Sequence, residues 1–292
     1  MSLSVALITP SYSGDFESCR LLCETVDAYV SGYETHYVVA PDHELGMFAA
    51  LAGPRRRIVA ESTLLPSPLH RLPPTWKGRQ YYWMRGALPV RGWHTQQLRK
   101  FGMAVTQPAA RVVFLDSDNV FVRPFDVSGY AGGETPPLHC DPAAIRAEDT
   151  GHPRWLQSAH RLLGLDAPSF PADDFIGQMI VWDVAVVRQV LARIEQVTGT
   201  NWAVAMLRQH AFSEYLIYGA AVTGDPALRA RHRITTVSPC LTYWQGPALD
   251  AAGLARFVAQ LAPEQSAIAV QSFTRTPLRL LRDLAFPPRL AA

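Results

Sequence analysis

With 292 residues and a formal charge of only +2, from 27 Lys and Arg against 25 Asp and Glu, the chain can bury a full core without staples. It carries no bulk field that would draw a polyanion, which excludes nucleic acid as a first-choice partner. The four cysteines, Cys19, Cys23, Cys140 and Cys240, form no C-x-x-C pair, which fits a reduced, cytoplasmic protein in which Cys19 and Cys23 share an apolar helix face.

Residues 5–9 are a short apolar run closed by Pro10 and Ser11, and 16–29 is apolar-periodic, so the chain opens strand, turn, helix. A second strand, 36–40, ends at Pro41-Asp42, which makes the start a parallel βαβ unit. Residues 46–52 read as a helix and 57–60 as a third strand. The Pro-rich stretch 65–76 reads as a long loop of the functional kind, a lid over a site. The helical pattern of 92–105 sets Gln97 and Lys100, spaced i, i+3, on one face, and 111–115 is a buried strand. After a Gly/Pro-rich stretch, 129–142, come a helix around 154–163, an apolar strand over 174–182 and an amphipathic helix over 184–197. A helical 203–209, a new element opening at His210 and a strand over 268–273 complete the pattern. The last stretch, 276–286, forms a short basic amphipathic helix suited either to docking on the domain or to peripheral contact with an anionic membrane. The start, MSLSVALITPSY, has no leader pattern, and no apolar run reaches the ~18 residues of a membrane span, so a soluble protein is expected. Without a repeat or a composition shift, the pattern predicts a single α/β domain: a mostly parallel, Rossmann-like sheet flanked by helices.

The segment FLDSDNVFV carries the most chemistry. An apolar strand that stops at Asp116 and Asp118 puts two carboxylates at its carboxyl end, where open parallel sheets bind ligands. Side by side they repel unless a cation joins them, and hard oxygen ligands suit Mg²⁺ or Mn²⁺ held together with nucleotide phosphates. A bare D-x-D is often only a solvated turn, but the apolar runs on both sides argue otherwise here. Acids able to act as a general base are the next candidates. Glu214, between Phe212, Tyr215 and Tyr218, is one choice, although Ser213 could also start a helix there with an acid in its first turn. Asp173 and Asp174 are the other acids, as base or as acceptor ligands, and they could equally be turn residues. Arg91 and Arg99 are alternative phosphate ligands, and His94 reads as a stacked surface residue.

In order, ITPSY, RGWHTQQLRK, FLDSDNVFVRPFD, DDFIGQMIVWD, FSEYLIYG and a late QSF resemble GT-A type nucleotide-sugar glycosyltransferases, in a bacterial GT-A-like family. The resemblance implies a GT-A fold with a nucleotide-sugar-binding half at 1–125 and an acceptor-binding half at 126–292. It implies a UDP- or GDP-sugar donor, Mn²⁺ or Mg²⁺, and inverting transfer to a hydroxyl of a glycan, lipid or small molecule. Asp118 would be the main metal ligand, with Asp116 sharing the metal or reaching the ribose. Thr9, Pro10, Ser11, Tyr12 and Asp42 would surround the base, and Ser117, Gln97 and Lys100 would meet the rest of the donor. The family often adds a late histidine ligand, but this chain has Gln271 and Ser272 there, so Gln271, Ser272 or water would substitute. Two other readings compete. A nucleotidyltransferase needs a Gly-rich phosphate loop that ITPSYSGDFES lacks, and a non-catalytic nucleotide-sugar-binding module would have no use for Asp116, Asp118 and Glu214 together.

Overall fold

Five strands make the central sheet in the computed structural model, which describes residues 3–76, 79–209 and 211–287. They are β1 (Val5–Pro10), β2 (His36–Ala40), β3 (Arg56–Ala60), β4 (Arg111–Phe114) and β5 (Val181–Asp183), ordered β5-β4-β1-β2-β3. The first four are parallel and β5 is antiparallel at one edge. Every residue of β1, β2 and β4 is buried, as expected of parallel strands covered on both faces. The period of two divides them. Ala6 and Ile8 pack with helices α2 (Gly92–Thr106), α4 (Val184–Thr198) and α5 (Glu214–Gly224), while Val5 and Leu7 pack with α1 (Phe16–Tyr29). Between α2 and α4 in the chain lies α3 (His152–Leu163), whose Leu156, Ala159 and Leu162 join the larger core.

The fully buried Trp182 ties these layers together. Its ring stacks on Tyr218 at 5.0 Å and meets Phe114 at 4.5 Å and Phe101 at 4.7 Å between centroids, so β5, α5, β4 and α2 share one aromatic node. Cys19 and Cys23 lie in a smaller cluster with Val38, Ala40, Phe48 and Leu51, and all four cysteines are buried and free.

Several expected elements change on folding. The stretch read as a long loop contains a strand, Leu69–Trp76, that pairs antiparallel with Arg79–Met84, which in turn pairs with Val90–Arg91. Pro73 and Pro74 are tolerated because this is the edge strand, and its register shifts between Leu72 and Trp76. Only 65–68 remains irregular. The strand expected over 174–182 is cut to Ala172–Asp174 and Val181–Asp183, because the Asp174 carboxylate accepts from Ile176 N at 2.9 Å and turns the chain. The helix expected over 46–52 is a short Leu45–Phe48 followed by a 3₁₀ turn. His210 lies outside the described residues, and the element expected to open there begins at Glu214.

A second small sheet positions the chemistry. Ala267–Val270 runs antiparallel to Asn119–Phe121 and parallel to Cys240–Tyr243, and Val270 N donates to the Asp118 carbonyl at 3.3 Å. Gln271 is thereby delivered to the D-x-D turn. The last helix, Leu278–Ala285, docks: Leu281 and Ala285 are buried against Leu21, Val120 and Ile268, and Arg282 pairs with Glu24 at 2.6 Å. Its apolar face is used by the core, which is the docking alternative of the two that the sequence left open. No helix among the described residues is long and apolar enough to cross a membrane.

Gly102 on α2 lies where an added Cβ would come within 2.4 Å of the Leu64 carbonyl oxygen. Gly102→Ala must move backbone, so it is expected to destabilise by about 1–3 kcal/mol. The effect should be read as a lower denaturant midpoint with an unchanged m value.

Candidate active site

β1 and β4 are neighbours, but the chain leaves β1 toward β2 on the far side. The gap at their carboxyl ends is therefore a topological switch point, where such sheets take ligands. Ser11 follows β1 and the D-x-D turn follows β4, and Ser117 Oγ donates to Ser11 Oγ at 2.9 Å across the gap. Asn119 N donates to the Asp116 carbonyl at 3.0 Å, closing a turn that carries both aspartates. Asp118 Oδ1 is buried with no hydrogen-bond partner. Burial first, and the neighbouring Asp116 second, push its carboxyl up to about 8.

Such an oxygen is energetically unsatisfied until a proton or a cation reaches it. Among the described residues no three His, Cys, Asp or Glu side chains converge as a ligand set. A divalent ion here would take the two aspartates and complete its shell with amide, water and phosphate oxygens, as Mg²⁺ ordinarily does at nucleotides. Gln271 borders the same space as Asp118, so the donor set suits Mg²⁺ or Mn²⁺.

Lys100 is the cation the fold itself supplies. Only 3% exposed, its ammonium lies 3.1 Å from Asp116 Oδ1 and 2.9 Å from Glu214 Oε1, and it donates to Tyr215 OH at 2.7 Å. Burial pulls its pKa down, but Asp116 and Glu214 outweigh that and hold it well above its ordinary value. Gln97, one turn earlier on α2, accepts the Glu214 N–H at 3.0 Å. Ser213, at the N-cap of α5, makes no side-chain capping bond, so a glutamine from another helix performs the capping. Gln97 Nε2 is left buried without a partner.

Three adjoining cavities surround these groups. The largest, about 540 Å³, is lined by Ser11, Tyr12, Glu44, Arg71, Tyr82 and Arg91. A second, about 270 Å³, holds Lys100, Asp116, Glu214, Gln97, His152 and Gln271, and it shares Trp93 and Gln96 with the first. The third, about 180 Å³, contains Asp15, Ser117, Asp118, Gln271 and Ser272.

Folding thus brings together Ser11, Tyr12, Gln97, Lys100, Asp116, Ser117, Asp118, Glu214 and Gln271, and removes others. Thr9 and Pro10 are buried in β1, where Thr9 Oγ1 is bonded to His36 Nε2 at 2.9 Å. Asp42 faces away from the cavities and accepts from Ser62 N at 3.1 Å and from Ser62 Oγ, while its neighbour Glu44 takes the cleft position. Arg99 is ion-paired with Glu61 and, unlike these others, still lines the 540 Å³ cavity. Asp173 accepts from Ala143 N at 3.0 Å on another surface, because the strand Ala172–Asp174 sends successive side chains to opposite faces. His94 packs between Trp93, at 5.1 Å, and Phe212, at 5.5 Å.

Asp174 reaches the site indirectly. Its Oδ2 accepts from His152 Nδ1 at 2.7 Å, and it is His152 that lines the second cavity, its ring stacked on Trp155 at 4.8 Å. The Asp174 bond raises the His152 pKa and outweighs partial burial. Asp15 was also not legible as a site residue. It lies beside Ser272, and burial followed by the charge of Asp116 raises its carboxyl pKa against the lowering effect of the Ser272 hydroxyl. Asp15 and Ser272 lie at opposite ends of the chain, and His152 and Asp174 are 22 positions apart with a helix between them, so no local spacing marks either pair.

Lys100→Met would leave Asp116 and Glu214 facing each other without their cation, and a loss on the order of 3–5 kcal/mol in unfolding free energy is expected, measured by denaturant titration. For His152 the folded pKa lies above the unfolded value of about 6.5. The stability this bond supplies is fully present below that pH and is lost as pH rises through the folded pKa. Asp174→Asn should therefore lower the His152 pKa in an NMR titration, and the gap in melting temperature between parent and variant should shrink on going to alkaline pH.

Residues 1–284 match a family described as a family of unknown function, DUF6492. No curated protein matches the chain. The family match runs from before β1 to the last helix and includes every residue of the three cavities, and the chain belongs to the family of unknown function DUF6492.

Proposed function

We propose that this protein is a GT-A type glycosyltransferase, moving a sugar from a UDP- or GDP-sugar to an acceptor hydroxyl with Mn²⁺ or Mg²⁺. The observation that carries the reading is the pair Asp116 and Asp118 at the sheet's switch point, each with a buried oxygen that has no hydrogen-bond partner, at the meeting of three cavities. The order of motifs along the chain supports the same reading.

On this reading the 540 Å³ cleft receives the nucleotide. Ser11 and the half-exposed Tyr12 ring flank the base, and Arg91 offers a cation to the phosphates. The divalent ion, held by Asp116, Asp118 and Gln271, would neutralise the diphosphate as charge builds on the leaving oxygen. Glu214, fixed by Lys100 and by the Gln97 bond to its backbone, takes the proton of the acceptor hydroxyl. The acceptor oxygen bonds to the anomeric carbon as the carbon–oxygen bond to the diphosphate breaks, and the nucleoside diphosphate leaves. Attack opposite the leaving group inverts the anomeric configuration. A fixed base and a fixed cation act here by pre-organisation, since neither must reorient during transfer.

Asp118→Ala is expected to abolish the Mn²⁺-dependent part of nucleotide-sugar affinity in calorimetry while the circular dichroism spectrum stays that of the parent. Unchanged metal enhancement would refute the D-x-D assignment. Glu214→Gln should lose about 10²-fold to 10⁴-fold in kcat with donor affinity near the parent's. Product NMR should show the inverted anomer, and a retained anomer with near-normal kcat would remove Glu214 from the role.

A further inference from the structure

We propose that the 270 Å³ cavity is a subsite for one sugar ring of a saccharide acceptor, with Trp155 and Trp244 as its stacking faces and Gln97 as a buried donor. Its assignment to the acceptor rests on the glycosyltransferase reading of the adjoining D-x-D.

Three of the chain's seven tryptophans, Trp93, Trp155 and Trp244, converge on this one small space. Trp93 and Trp244 are 45% and 47% exposed, and large aromatic surface left open to water around a concavity marks a place where a ligand covers it. The rings are not loose additions. Trp93 lies 5.2 Å from Trp155, and Trp155 stacks on His152. A pyranose has an apolar C–H face and a rim of hydroxyls, so it asks for aromatic faces combined with many hydrogen-bonding side chains. The lining supplies both: Gln96, Gln97, Gln178 and the acids beside the tryptophans.

A lipid tail asks for something else. Among the described residues Ile176 is the sole aliphatic side chain lining the cavity, and an acyl or isoprenoid chain placed there would bury polar groups without partners. The volume, near the roughly 300 Å³ lower bound of small-ligand pockets, suits a single ring.

Two polar atoms point to a hydroxylated occupant. Gln97 lines the cavity, its Oε1 is held by Glu214 N, and its Nε2 is buried with no hydrogen-bond partner. A ligand oxygen would satisfy it. Since His152 Nδ1 is held by Asp174, the second ring nitrogen is the one left for a hydroxyl. Glu214 lines the same cavity, so a ring seated there brings its hydroxyls to the proposed base.

The test uses the full-length protein, fluorescently labelled, on an array of defined oligosaccharides and, separately, with vesicles of phosphatidylethanolamine and phosphatidylglycerol. Parent, Trp155→Phe, Trp155→Ala and Trp244→Ala are compared, the exposed Trp244 giving a variant that leaves the core untouched. The inference expects saccharide binding by the parent and about tenfold or greater weakening in Trp244→Ala and Trp155→Ala, as for loss of an anchoring aromatic. It expects partial rescue in Trp155→Phe and no vesicle binding. Absence of saccharide binding, or equal binding by all variants, overturns it, and so does binding to vesicles alone. Calorimetry with UDP-glucose and GDP-mannose plus Mn²⁺ separates the two claims. Tryptophan variants should keep the parent's donor affinity, and weakened donor binding would give the cavity to the donor sugar and overturn the acceptor assignment. A parent that binds saccharides through these tryptophans but neither donor would retain the saccharide site and discard the glycosyltransferase reading.

Discussion

Much of the arrangement depends on one buried ammonium. Lys100 comes from α2, Asp116 from the end of β4, and Glu214 and Tyr215 from the start of α5. In a low-dielectric interior, two carboxylates this close would repel, and one of them would take up a proton or move to water. The Lys100 ammonium bridges the two and holds them in place. The geometry of the centre is thus a by-product of charge neutralisation, and the helices that supply the groups are locked in turn by the Phe101, Phe114, Trp182 and Tyr218 rings.

Asp118 lies beside that cluster but has no ion pair to the Lys100 ammonium. It lies two residues from Asp116, yet its Oδ1 has no partner. Folded proteins leave few buried polar atoms in that condition without a functional reason. Gln97 Nε2, on the other side of Lys100, is in the same condition. Unsatisfied acceptors on Asp116, Asp118 and Asn119 and an unsatisfied donor on Gln97 surround the Lys100 ammonium. Asp118 and Gln97 line cavities in which a bound ligand would satisfy these atoms.

The sequence itself determined the helices 16–29, 92–105 and 184–197 and the strands around 5–9, 36–40 and 111–115, whose bounds agree with the structure to within about a residue or two. These are long or strongly apolar segments whose periodicity follows directly from which face is covered, and the D-x-D stands out because it interrupts such a run. Glu214 was legible only as an acid among aromatics. Its lysine partner, 114 positions away in the chain, made no local pattern with it.

Tertiary structure decided the rest. The Pro-rich stretch 65–76 looked like a loop because proline removes ladder donors, and only the vacant side of an edge strand makes that tolerable. Whether an acid serves the site or the scaffold was decided the same way. Asp42 was claimed by Ser62 and Asp173 by Ala143 N, while Asp174 acts behind His152. A polar side chain's role follows from which hydrogen-bond partners remain free after folding, and that depends on long-range neighbours. Residue type and chain spacing carry the hydrophobic pattern, which is local, but not the pairing of polar groups, which is settled only when distant segments meet.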